Sequence, residues 1–144
     1  MFDMSTAKVR MGIWRSCREH VFAAAWEEIA RSGVMVSDRM SSLSGSDGYW
    51  LPAGRWWRGN APEWDVVSTN GSGTRILLGE VKWSERPFSW KVVGDLVRSM
   101  KARKIPVGLS GSVQYALFVP AVEPGAACGN GFDGVEILTA EDFA

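Results

Sequence analysis

Cysteine and histidine are scarce: 144 residues contain two cysteines, Cys17 and Cys128, and one histidine, His20. With no CxxC pair and a single imidazole, neither a disulfide framework nor a tetrahedral zinc site is supported. Long apolar runs are missing too. The longest, at residues 21–26 and 115–119, fall far short of the roughly 18 to 20 residues that cross a bilayer. The first residues carry Asp3, Lys8 and Arg10 without a small-residue cleavage site, so a reducing cytoplasm is the expected setting and no membrane is an expected partner. No GxxxxGKS or GxxxxGKT occurs, which leaves nucleotide hydrolysis unassigned, and no GxSxG elbow suggests a serine hydrolase. His20, Ser16 and Asp3 have no triad spacing. Residues 129–134 spell GxGxxG but precede a strand-like run instead of following one, so a dinucleotide site is not indicated. Internal repeats and low-complexity tracts are absent.

Net charge is also missing, since 16 bases balance 16 acids. The balance hides a polarised distribution. Residues 86–104 hold six bases against Asp95 alone, and residues 105–144 hold five acids and no base. Lys91, Arg98 and Lys101 in the basic stretch are candidates for holding a polyanion, because phosphate attraction acts over only about 8 to 10 Å at physiological salt. A solvated helix face is the alternative reading. With 46% hydrophobic and 22% charged residues, the composition is that of an ordinary globular chain. One domain over residues 1–144 is expected, exposing about 7,300 Å² when folded.

Apolar residues at three- and four-residue steps predict a helix over residues 8–32. Its arc of Ile13, Trp14, Cys17, Val21, Ala24, Ala25 and Ile29 reads as core, and Gly33 as its stop. A linker and an edge strand fill residues 33–58, with a mobile loop at SSLSGSDG, residues 41–48. Residues 63–83 read as a hairpin around Asn70-Gly71-Ser72-Gly73. A four-residue loop of residues 71–74 sets Asp65 opposite Glu80. A loop of residues 70–73 sets it opposite Leu78, and either register leaves Asp65 and Glu80 on one sheet face. An amphipathic helix follows at residues 89–104, then strands at about 113–119 and 135–138.

Alternation along the second hairpin strand sends Glu80 and Lys82 to one side and Val81 to the other. Asp65 then completes a set of two acids and a lysine. Two neighbouring carboxylates repel unless a hard cation lies between them, and magnesium suits such oxygen ligands while keeping several waters. The chemistry indicated is phosphodiester hydrolysis, with Lys82 supplying positive charge to the developing phosphorane or orienting water. A solvated E-x-K pair or a buried salt bridge would give the same spacing. Eight tryptophans and the run Arg55-Trp56-Trp57-Arg58 add a second signal. Alternation sends Trp56 and Trp57 to opposite faces, so one belongs to the core. The exposed one, with Arg55 and Arg58, could stack on bases and hold phosphates.

The combination Asp65-x14-Glu80-x-Lys82 in a hairpin after an N-terminal helix resembles the PD-(D/E)xK restriction-endonuclease-like superfamily. Gly54-Arg55-Trp56-Trp57, then Asn60, Glu63, Asp65, Val66 and Val67, then Leu78-Gly79-Glu80-Val81-Lys82-Trp83 resemble one branch in particular. That branch is the uncharacterised domain at the C-terminus of archaeal and bacterial P-loop ATPases. Trp26-Glu27-Glu28-Ile29 is similar to its aromatic-Glu helix motif, and residues 115–118 and 135–138 to its later strands. The resemblance implies an α/β fold, a restriction-endonuclease-like mixed central β-sheet flanked by helices. It implies Asp65 and Glu80 as ligands of Mg²⁺ or Mn²⁺, Lys82 as the catalytic lysine, and Glu27 as an auxiliary acid, with Glu19 the alternative. Nucleic acid, foremost DNA, an ATPase domain or other partner protein, and a second copy of the chain are the partners it suggests. A docking module that does not cut is the competing function.

Overall fold

The computed structural model describes residues 4–125 and 131–144. Asp3, Cys128 and the start of the GxGxxG segment lie outside them. Helix α1 (Met4–Val36) is followed by α2 (Asp38–Leu43) and a 3-10 turn at Gly45–Asp47. Strands β1 (Gly54–Trp56), β2 (Trp64–Thr69) and β3 (Arg75–Val81) lead to helix α3 (Trp90–Ala102). Strands β4 (Ser112–Phe118), β5 (Gly131–Phe132) and β6 (Val135–Leu138) and a 3-10 turn at Ala140–Phe143 complete the chain. The strands form one sheet in the order β1-β2-β3-β4-β6-β5. Pairing is antiparallel on the β1-β2-β3 side, parallel through β3-β4-β6, and antiparallel again at β5. The fold is therefore mixed α/β, with helices flanking a mixed central sheet.

The sheet divides the interior into two cores. Leu77 and Val81 of β3 pack with Trp26, Ala30 and Val34 of α1, and with Trp50 and Phe118. Leu78 packs on the other side with Val93, Val97 and Met100 of α3 and with Trp64 and Leu117. Burial on both faces explains why β3 reads as a continuous apolar run and not as an alternating one. The Ser89 hydroxyl caps α3 by accepting the Val92 amide, a bond that satisfies one orphan donor of the first turn.

Three expectations about the first third fail. Gly33 does not stop α1, which continues to Val36. A Cβ at Gly33 would overlap the Phe143 ring, so this glycine permits close approach and its helical backbone needs no exceptional φ. Residues 41–48 are the end of α2 and a 3-10 turn instead of an irregular loop. Trp50 Nε1 donates to the Met40 carbonyl at 2.7 Å and Asn70 Nδ2 to the Ser44 carbonyl at 3.0 Å, which pins the segment against the hairpin. Finally, the apolar arc of α1 is not core. Ile13, Trp14, Val21 and Ile29 are exposed, while Trp26, Ala30 and Val34 bind the sheet. Helical periodicity reports that an apolar stripe exists and is silent about which side meets the domain.

Candidate active site

The pairs Val66↔Gly79 through Thr69↔Ile76 fix the hairpin register. One step further sets Asp65 opposite Glu80, the register of the residue 71–74 loop. The ladder opens at that step. The Val81 amide, next in β3, donates to Asp65 Oδ2 at 2.9 Å. Trp64 packs in the α3-side core while Val66, two residues on, packs in the α1-side core. Regular alternation therefore breaks between them. The Asp65 carboxylate stands at the end of the ladder instead of projecting from a flat sheet.

Glu80 faces the α3 side, and its side chain is 9% exposed. Its Oε1 meets Lys82 Nζ at 3.5 Å and Arg103 Nη2 at 3.1 Å. Its Oε2 is buried with no hydrogen-bond partner. An orphaned buried acceptor costs about 1–3 kcal/mol, and more when charged, so this oxygen marks a place where a cation or water is wanted. Asp65 is also strained electrostatically. Burial raises its pKa above the ordinary 3.8, and the charges of Glu27 and Glu80 raise it further. The Val81 amide and Lys82 act in the opposite direction. Glu27 of α1 is thus brought within electrostatic reach of Asp65, and Arg31 holds it at 3.7 Å. Glu19 lies elsewhere, in an open cleft of about 490 Å³ with Ser16, His20 and residues Trp83 to Arg86.

Two arginines at the site carry no signal of their own in the sequence. Arg103 donates to the Glu63 carbonyl at 2.8 Å, contacts Glu80, and lies 4.7 Å from the Trp64 ring centroid. Arg31 donates to the Asp65 carbonyl at 3.3 Å. Arg103 joins residues far apart in the chain, whereas Arg31 is also a local i,i+4 partner of Glu27 and only its bond to Asp65 is long-range. Arg103 was visible only as one member of the basic run.

The proposed nucleic-acid contacts do not form one surface. Trp57 is 67% exposed at the β1 edge while Trp56 packs toward the α3-side core, as alternation requires. Arg55 on β1 is ion-paired with Glu63, and Arg58 is exposed nearby in the β1–β2 connection. Lys101 reaches Asp133 beyond β5, its Nζ 2.9 Å from the carbonyl. Arg98 pairs with Asp95 and lies with Phe132 beside Gly94, and Lys91 is exposed on the first turn of the same helix. The two groups sit toward opposite sheet edges, which five strand spacings place about 24 Å apart. Only the β1 group borders the carboxylates.

A family model described as archaeal and bacterial proteins of unknown function, DUF234, matches residues 5–105, well over half of the chain. The chain belongs to the DUF234 family. Every residue named at the carboxylate site, from Glu27 to Arg103, lies within the DUF234 match, whereas β4, β5 and β6 lie beyond it. No curated protein and no solved structure matches the chain. Among the described residues no helix is long and apolar enough to cross a membrane.

Proposed function

We propose that this DUF234 chain is a metal-dependent phosphodiesterase domain of the PD-(D/E)xK restriction-endonuclease-like kind, acting on DNA. The observation that carries the reading is the buried Glu80 carboxylate. One oxygen is held by Lys82 and Arg103 and the other has no partner, beside an Asp65 whose negative charge is disfavoured. Two carboxylate oxygens without a third acidic or imidazole ligand fit Mg²⁺ or Mn²⁺, which retain waters and complete their shell with substrate phosphate. Among the described residues no group of three or more His, Cys, Asp or Glu side chains is arranged to hold a metal, so a closed protein cage is not on offer. Asp65 and Glu80 would hold the ion, and when bound it would polarise a phosphate and acidify a water.

The remaining roles belong to the chain itself. Lys82, with its side chain 46% exposed, reaches both solvent and Glu80, so its ammonium can neutralise charge that develops on a bound phosphate. Arg103 holds the Glu80 carboxylate in one orientation. Arg31 does the same for Glu27, leaving Glu27 as the auxiliary acid nearest Asp65. Arg55, Arg58 and Trp57 would meet the nucleic-acid backbone and an unpaired base on the adjoining edge.

The test is cleavage of supercoiled, single-stranded and branched DNA in Mg²⁺ or Mn²⁺ by wild type and Lys82→Ala. The expected result is a loss of about 100-fold or more in the variant. Equal cleavage would remove the lysine from the mechanism. A second reading, a module that docks DNA or a P-loop ATPase without cutting, draws on the same ion pairs. Lys82 and Arg103 already compensate Glu80 as a buried salt bridge would. It is favoured if calorimetry finds no Mn²⁺ site that Asp65→Ala abolishes.

A further inference from the structure

Nine of the fifteen large hydrophobic residues exposed among the described residues lie on α1. Trp26, Ala30 and Val34 hold that helix to the sheet. With about 100° between successive residues, the side turned away from them carries Ile13, Trp14, Cys17, Val21, Ala24 and Ala25, all exposed. Val9, Ile13, Trp14 and Val21 are each 60–63% exposed. The stripe runs from Ile13 to Ala25, roughly 18 Å of helix, with Val9 and Ile29 at its two margins. The accessible surface is 8806 Å² for the chain, and a standard interface removes about 800 Å² from each partner.

We propose that this face docks a second copy of the chain, the two α1 helices lying antiparallel about a two-fold axis level with residue 19. That register is self-complementary in size and in charge. Cys17 meets the second copy's Val21, Trp14 meets its Ala24, and Ile13 meets its Ala25, so a large side chain faces a small one and the helices can close to about 8 Å. Arg10 meets its Glu28, and the two-fold repeats the ion pair at the far end. Within its own chain Glu28 is 71% exposed and touches only the far edge of Arg31, at 3.5 Å, and Ser32 Oγ, at 3.4 Å. Sliding by one turn sets Glu28 against Trp14, or Arg10 against Ala24, and separates both charges. Trp26, Ala30 and Val34 hold the sheet on the opposite side of α1 from this stripe.

Sedimentation of the full chain at graded concentration tests the proposal. Wild type should dimerise below roughly 100 μM, and Trp14→Glu or Val21→Glu should weaken dimerisation at least about tenfold with unchanged circular dichroism. Arg10→Glu should also weaken it, and Arg10→Glu with Glu28→Arg should restore it. With Cys128→Ser, Cys17 should be cross-linked to the second copy's Cys17 by a bis-maleimide, since the register offsets the two by about one helical turn. A chain monomeric at that concentration overturns the inference. So does a dimer indifferent to Trp14→Glu, a charge swap without rescue, or a monomer that uses the stripe to bind anionic lipid vesicles.

Discussion

β3 enters the sheet through Ile76, Leu77 and Leu78 and leaves it through Glu80, Val81 and Lys82, and its first six residues after Arg75 are all buried. The entering half is sealed by apolar cores on both faces, where each fully buried leucine contributes about 1.5–3 kcal/mol. The leaving half carries a carboxylate into nearly the same degree of burial. There the ladder opens, Asp65 takes an amide from β3, and one Glu80 oxygen is left without a partner. A strand that stabilises the fold over one half of its length supports a costly polar constellation over the other. Burial alone does not distinguish them; the presence or absence of satisfied partners does.

Substitutions along this strand should separate the halves, and the largest effect belongs to the sealed one. Leu77→Ala should lose about 3 kcal/mol of stability, as large-to-small changes in tight cores do, read from urea or guanidinium midpoints. A loss under about 1 kcal/mol would mean that the core collapses around the gap. Gly79→Ala comes next. Its Cβ would stand 2.8 Å from Phe118 Cε2 and 3.0 Å from Val66 Cβ, an overpacking that should cost about 1–3 kcal/mol. A neutral result would show that Phe118 can turn aside.

At the polar end the sign should invert. Asp65 has a folded pKa above its ordinary 3.8, so the native state binds more protons than the unfolded state between those two values. Stability contributed at Asp65 is therefore lost as pH rises through that window and stays lost at neutral pH. Asp65→Asn keeps an oxygen for the Val81 amide and removes the charge. It should raise Tm at pH 7 by about 1–3 °C, and the gain should vanish as pH falls toward 3.8. A variant less stable at pH 7 would refute this account of Asp65. The smallest loss of stability is expected for Lys82→Ala, under about 1 kcal/mol because Arg103 still holds Glu80, although the proposed DNA cleavage should be lost. A strongly destabilised Lys82→Ala would make the lysine structural.

The legibility of the chain follows the range of its interactions. The hairpin, α3, β4 and β6 were readable because period, turn residues and the Ser89 cap act within a few positions of one another. The three residues of β1 and two of β5 are too short for periodicity to register. The SSLSGSDG segment reads as a loop because its turn-forming composition is also that of caps: Ser44 ends α2, and Gly48 sits at φ 77° after the 3-10 turn. The orientation of α1 was not readable, since Trp26 and Trp14 look alike in sequence and only the position of the sheet separates them. At the site, Asp65 and Glu80 were found through register. Arg103 is not, because 23 residues separate it from Glu80, and Arg31 reads as an ordinary helical i,i+4 partner of Glu27 while its bond to the Asp65 carbonyl spans 34 residues.

The most direct test is anomalous diffraction from a crystal soaked in Mn²⁺. A peak bonded to an oxygen of Asp65 and to the partnerless oxygen of Glu80 is the predicted result, absent in Asp65→Ala crystals. Empty density there in wild type, with Glu80 still held by Lys82 and Arg103, would contradict the proposal that these two acids share a cation.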